Sequence, residues 1–213
     1  MGRIGEEVSL ALPESGTPVS KPRGAVFFDR DGTLNEDVDF LGRPDQLRII
    51  LGAVDAVRAV NRSGMAACII SNQSGVARGM FTEADLLPVH ERLRREFSAG
   101  GAKFDRIDYC PHHPTAGIPP YRIECECRKP KPGMLLRAAD ALGLDLSRSY
   151  VIGDKLTDLQ AGISAGASAI LVLTGYGITS MEECRTAGVT PDYVAPTVRE
   201  AVEFILATEK EKH

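Results

Sequence analysis

Short apolar runs alternate with longer amphipathic stretches along this chain, and that alternation predicts its fold. Ala25–Phe28 is too short for a helix and is bounded by turn residues, so it reads as a buried strand. Met65–Ile70, Phe104–Tyr109, Tyr150–Ile152, Ala169–Leu173 and Asp192–Val194 read the same way. Between them the period changes. Val54, Val57 and Val60 recur at helical spacing and stop at Gly64. Thr82 can cap a helix that places Leu86, Val89, Leu93 and Phe97 on one face, with Pro88 expected to kink it or delay its start. Met134, Leu135, Ala138 and Leu142 follow Pro132 and end at Gly143, and Leu156–Ala165 is a further helix. Thr197 and Glu200 predict a capping box for the last one. Leu34–Pro44 has no clear period and reads as a loop.

Repeated strand-then-helix alternation predicts an α/β fold, a three-layer, doubly wound and mainly parallel sheet with helices on both faces. Residues 24–207 form the expected domain, with 1–23 a loosely ordered extension and 208–213 a tail.

Composition narrows the class. The 213 residues are 43% hydrophobic and 25% charged, as in ordinary globular proteins. A net charge of −4 gives no electrostatic footprint for nucleic acid. No stretch reaches the ~18 apolar residues of a membrane span, and Glu6, Glu7 and Glu14 do not suit a signal peptide. Glu6 also stands where a myristoylation site needs Ser or Thr. The expectation is a cytoplasmic monomer that acts on a small molecule, with no nucleic-acid or membrane partner.

The chemistry-bearing residues sit where the predicted strands end. The first strand ends in Asp29 and Asp31, two carboxylates that repel unless a cation or shared proton relieves them. The second ends in Ser71, Asn72 and Gln73; Arg128 and Lys129 precede the Pro132 helix; Asp154, Lys155 and Asp158 follow the fourth strand. Open parallel sheets bind ligands at this edge. Acids for a divalent cation, a hydroxyl and cations for phosphate oxygens are the equipment of phosphoryl transfer.

The five cysteines, odd in number and without a secretion signal, argue against a disulfide framework. Cys110, Cys125 and Cys127, with a histidine beside the first, have the make-up of a closed tetrahedral Cys₃His zinc site, which would tie a long loop structurally. His112 and His113 are both candidates. Cys68 and Cys184 read as buried small hydrophobes, and His90 as a surface or boundary residue.

Four segments in order resemble the haloacid dehalogenase superfamily of phosphohydrolases: Phe28-Asp29-Arg30-Asp31-Gly32-Thr33-Leu34-Asn35, Ser71-Asn72-Gln73-Ser74, Arg128-Lys129-Pro130-Lys131-Pro132-Gly133-Met134 and Gly153-Asp154-Lys155-Leu156-Thr157-Asp158. The resemblance implies that Asp29 is the nucleophile and Asp31 the acid/base. It implies Mg²⁺ on Asp29, the Asp31 carbonyl and Asp154, and a transferring phosphoryl group held by Ser71 and Lys129. Asp158 would buttress Lys129 or the metal loop. The zinc loop, 110–127, is similar to that of the heptose 1,7-bisphosphate phosphatases, with histidinol-phosphate phosphatases as nearest relatives, and their pattern favours His112 as the ligand. The spacing between motifs leaves no room for a large cap domain.

Within that family resemblance, substrate contacts are expected from Arg30, Asp37, Val38, Asp39, Phe40, Asn72, Gln73, Ser74, Arg128 and Lys155, with Arg128 clamping the second phosphate. The implied reaction is removal of the C7 phosphate from a heptose 1,7-bisphosphate, supplying nucleotide-activated heptose for lipopolysaccharide or S-layer glycans. Histidinol-phosphate hydrolysis is the alternative. A non-catalytic zinc-loop binding module is the alternative from another class, against which the complete Asp29, Asp31, Lys129 and Asp154 set speaks.

Overall fold

A computed structural model describes residues 22–212; the expected loose extension at the N-terminus therefore lies almost wholly outside the described residues. The elements run β1 (Ala25–Phe28), α1 (Ala53–Ser63), β2 (Ala66–Asn72), α2 (Glu83–Ala99), β3 (Arg106–Cys110), α3 (Gly133–Leu142), β4 (Tyr150–Gly153), α4 (Leu156–Ala165), β5 (Ser168–Val172), α5 (Gly177–Ala187), β6 (Tyr193–Ala195) and α6 (Val198–Glu211). The strands form one sheet in the order β3-β2-β1-β4-β5-β6, and every pairing is parallel.

The period of two along β1 explains why its residues are all apolar. Val26 and Phe28 point into one core with Val57 and Val60 of α1, Leu93 and Phe97 of α2, and Ile205 of α6. Ala25 and Phe27 point into the other, with Met134, Leu135 and Ala138 of α3 and Ala161 of α4. A strand covered on both faces has no polar side to show. The chain leaves β1 toward β2 and β3, then returns to β4 on β1's other side. The sheet therefore reverses direction between β1 and β4, and a crevice opens beyond their carboxyl ends. Among the described residues no large cap interrupts this plan.

Several local expectations are corrected. Pro88 does not delay α2, which starts at Glu83 behind a full capping box between Thr82 and Asp85. Thr197 does cap α6 by accepting from Arg199 N, but Glu200 bonds the Thr197 hydroxyl instead of closing the box. β2 runs on through Ser71 and Asn72, so these polar residues are the strand's own last turn of pleat. Helix α6 continues to Glu211 and absorbs nearly all of the expected tail. His90 is buried, not at the surface, and packs against Arg30 and the Tyr109 ring. Helix α5 was not predicted: its mixed polarity buries only Gly177, Ser180 and Cys184. Cys68 and Cys184 are buried as expected.

Candidate active site

Sheet order brings the four strand-end segments together. β1 ends in Asp29, 4% exposed, and β4 beside it leads to Asp154, 0% exposed. Lys129 arrives from the loop before α3 and is sunk between carboxylates. Its Nζ lies 2.8 Å from Asp29 Oδ1 and 2.7 Å from Asp158 Oδ1, and donates to the Ile70 carbonyl at 2.8 Å. Burial works against its charge, but Asp158 and Asp29 outweigh that and hold the Lys129 pKa above its ordinary value. Asn72 pins the same loop: its Oδ1 accepts from Lys129 N and its Nδ2 donates to Lys129 O.

The acids carry the strain of this packing. Burial pushes Asp29 up to about 6 against the pull of Lys129, with Asp158 adding to the rise. Burial, then Asp29 and Asp158, push Asp154 up to about 8. Oxygens of Asp29, Asp154 and Asp158 lie within 4.8 Å of one another. Asp154 Oδ2 accepts from Tyr176 N, while Oδ1 is buried with no hydrogen-bond partner among the described residues. Three clustered carboxylates and an orphaned buried oxygen are what a hard divalent cation with oxygen ligands would satisfy. The cradle is shaped by two glycines with positive φ. A Cβ on Gly32 (φ +87°) or on Gly175 (φ +55°) would stand 2.2 Å from Asp154 Oδ2.

Asp31 is held differently. Its Oδ2 accepts from Arg30 Nη2 at 2.8 Å and from Gln73 Nε2 at 2.9 Å, and its Oδ1 accepts from Asn35 Nδ2 at 2.9 Å. Burial alone would raise its pKa, but the Arg30 charge and these hydrogen bonds win and hold it below the usual carboxylate range. Gln73 also donates to the Ser71 hydroxyl, so one amide fixes both groups.

The second cluster lies just past β3. Cys110 Sγ is 3.5 Å from Cys125 Sγ and 3.1 Å from Cys127 Sγ, and His112 Nδ1 is 3.3 Å from Cys127 Sγ. These separations exceed a disulfide's ~2.05 Å and suit four ligands around one tetrahedral ion. The geometry selects His112. His113 Nδ1 instead accepts from the Thr115 and Ala116 backbone amides.

Comparison with known proteins agrees with this arrangement. A family model described as HAD-hydrolase-like matches residues 126–201. The D-glycero-beta-D-manno-heptose-1,7-bisphosphate 7-phosphatase of Escherichia coli K12 is 42% identical over 166 residues, 78% of this chain and 87% of the relative. The protein of that name from Vibrio cholerae serotype O1 is 38% identical over 193 residues, 90% of this chain and 100% of the relative. A crystal structure of D,D-heptose 1,7-bisphosphate phosphatase from B. bronchiseptica, complexed with magnesium and phosphate, matches with a TM-score of 0.77 at 33% identity. It covers 87% of this chain and 99% of that one.

The chain belongs to this phosphatase family. It is a phosphoric monoester hydrolase built on the haloacid dehalogenase fold.

Seen as a heptose bisphosphate phosphatase family member, the chain presents a crevice of about 370 Å³ lined by Asp31, Phe40, Asn72, Gln73, Arg128, Lys129, Lys155 and Tyr176 among others. Asp37, Asp39 and Ser74 line it too. Two expected substrate contacts are displaced. Arg30 is 0% exposed, its guanidinium committed to Asp31, Gln73 and His90, so it positions the Asp31 carboxylate and does not face the crevice. Val38 is half-buried against the core and is not among the residues that line the crevice.

Tyr176 is a residue that sequence reasoning missed. Its amide holds Asp154, and the Lys155 ammonium stands 4.7 Å over its ring. Gly175-Tyr176-Gly177 lies just past β5's carboxyl end, and that placement is the signal that could have found it.

Proposed function

We propose that this phosphatase removes the C7 phosphate of D-glycero-D-manno-heptose 1,7-bisphosphate, with Mg²⁺ as catalytic cofactor and Zn²⁺ as a structural one. The observation that carries the reading is the crevice itself. Asp31 and Lys129 line it together with Arg128, which follows the zinc loop, and Lys129 reaches the buried Asp29 behind it. A lysine committed to the acids and a separate arginine without an acid partner suit a molecule with two phosphates. The enterobacterial relatives are named for the β anomer, and the same preference is proposed here.

Asp29 and Asp154 are the residues that would hold Mg²⁺, together with the Asp31 carbonyl. When bound, the ion supplies charge neutralisation at the phosphoryl oxygens. The chain's own residues do the rest. A carboxylate oxygen of Asp29 attacks phosphorus while the bond to the C7 oxygen breaks, and a proton from Asp31 goes to that oxygen. Water then attacks the aspartyl-phosphate, its proton passes to Asp31, and inorganic phosphate leaves. Lys129 and Ser71 bind the phosphoryl oxygens through both steps. Arg30 favours the proton-accepting form of Asp31, which serves the second step. The sugar is oriented by Asp37, Asp39, Phe40, Asn72, Gln73, Ser74 and Lys155. The product would feed nucleotide-activated heptose synthesis.

The test is kcat/KM on heptose 1,7-bisphosphate and on histidinol phosphate. A preference of at least about a hundredfold for the bisphosphate is expected from one lost charged phosphate contact. Faster turnover of histidinol phosphate overturns the substrate.

The raised acids give a pH prediction. Mg²⁺ must displace protons from Asp29 and Asp154, so its affinity should fall as pH drops from about 8 to 6, by up to roughly tenfold per unit for each proton displaced. The sign for stability is opposite. Both folded pKa values stand above the ordinary 3.8, so the metal-free fold loses stability as pH rises through 6 and 8, and Mg²⁺ restores it there. Calorimetric titration and melting curves at several pH values check both signs. A pH-independent Mg²⁺ affinity would contradict the assignment.

A further inference from the structure

Arg128 presents an unanswered charge. It is half-buried, its Nη1 donates only to the His112 carbonyl, and among the described residues it forms no ion pair with a carboxylate. A second arginine is tied to the adjacent residue of the same loop: Arg78 meets the His113 ring where Arg128 donates to the His112 carbonyl. Arg78 likewise has no carboxylate partner among the described residues. Its guanidinium carbon sits 5.8 Å over the Phe40 ring, which lines the crevice, and its Nη2 is 3.4 Å from His113 Nε2. Two guanidinium groups anchored on neighbouring residues of one loop, neither paired with a carboxylate among the described residues, offer the donors of an anion site.

The backbone explains how they are brought together. Ala77 N donates to the Pro111 carbonyl at 3.2 Å, and the Ala77 carbonyl accepts from Ile118 N at 2.9 Å. A Cβ on Gly117 (φ +97°) would stand 2.0 Å from that carbonyl, so the approach requires glycine. The turn that carries Arg78 is thus clasped on both sides by the loop that ends at Arg128.

We infer that Arg78 is a specificity-determining residue, forming with Arg128 the seat of the phosphate that is not cleaved. The inference rests on the bisphosphate reading given above. Phe40, with φ +66°, holds Arg78 by its ring face and places it at the crevice rim. Arg78 lies outside all four motif segments, so no motif points to it.

The experiment compares kcat/KM on heptose 1,7-bisphosphate with kcat/KM on heptose 7-phosphate, for the wild type, Arg78→Ala and Arg78→Lys. The expected result is a preference for the bisphosphate that shrinks roughly 10- to 100-fold in Arg78→Ala. Arg78→Lys should recover part of it, because charge survives while the fork is lost. The loss should appear mainly in KM, as expected for a contact far from the reacting atoms. Arg78 is exposed, so melting temperatures should match the wild type. A wild-type preference retained in Arg78→Ala, or equal losses on both substrates, overturns this inference alone. A wild type that shows no preference for the bisphosphate overturns the bisphosphate reading and this inference with it.

Discussion

Asp29→Asn is expected to lower kcat by at least about four orders of magnitude, the scale seen when a nucleophile is removed from a covalent mechanism. The amide keeps the side chain's size and its oxygen can still accept from Lys129, whose Nζ lies 2.8 Å away. What it loses is the negative charge that would make the oxygen a nucleophile toward phosphorus. The fold should not suffer. Burial already pushes this carboxyl up to about 6, so the charged form is costly where it stands. A neutral isostere removes that cost, and the metal-free variant should melt no lower than the wild type. The rise in melting temperature on adding Mg²⁺ should shrink. Kinetics and melting curves on the same preparation check both parts. A well-folded variant with wild-type turnover would remove Asp29 from the chemistry.

The second large effect is Lys129→Met, which should cost both activity and stability. Lys129 is 2% exposed and stands between Asp29 and Asp158, with the Ile70 carbonyl as its third partner. Methionine fills the space and answers none of the three. Breaking a buried pair by removing one partner costs about 3–5 kcal/mol, which for a domain of this size is a fall in melting temperature on the order of 10 °C. The loss should depend on pH. Without the ammonium Asp29 is driven further above its ordinary pKa, so the variant is penalised most where that acid must be charged. The difference from wild type should narrow as pH falls toward about 5, where protons replace the lysine. A difference that is constant with pH would mean the lysine contributes packing and not charge. Turnover should fall by roughly 10²–10³ as well, since a preorganised cation is lost from the phosphoryl group.

Much of this architecture was legible in the chain. The strands were found because runs of three to six residues bounded by turn residues are too short for a helix. The four polar strand ends then fell on one edge by the rules of parallel sheets. The Cys/His cluster was legible as candidate metal-binding chemistry, but the choice of His112 over His113 became physical only when His113 was found bonded to the Thr115 and Ala116 amides.

What escaped is of another kind. Arg30 stands between two functional aspartates and looks like a substrate contact. Only the packing of α2 against it, with His90 3.3 Å from its Nη1, reveals a residue that serves Asp31. Helix α5 buries too little apolar surface to leave a period, and Tyr176 at its start went unseen with it. Arg78 is invisible because its meaning lies in a clasp between Ala77 and the zinc loop. Such contacts join segments distant in sequence, and no local pattern encodes them.

The clasp would also link the two proposed metal sites. If the zinc loop seats both arginines, then withdrawing zinc should reduce the preference for a bisphosphate before it harms the hydrolytic centre itself. The central claim, that one end of the substrate is cut while the other is held, is tested most directly by following heptose 1,7-bisphosphate with phosphorus NMR as the enzyme acts. The account predicts that the C7 signal disappears into inorganic phosphate while the anomeric C1 signal persists. Release of the anomeric phosphate, or of both at comparable rates, would contradict it.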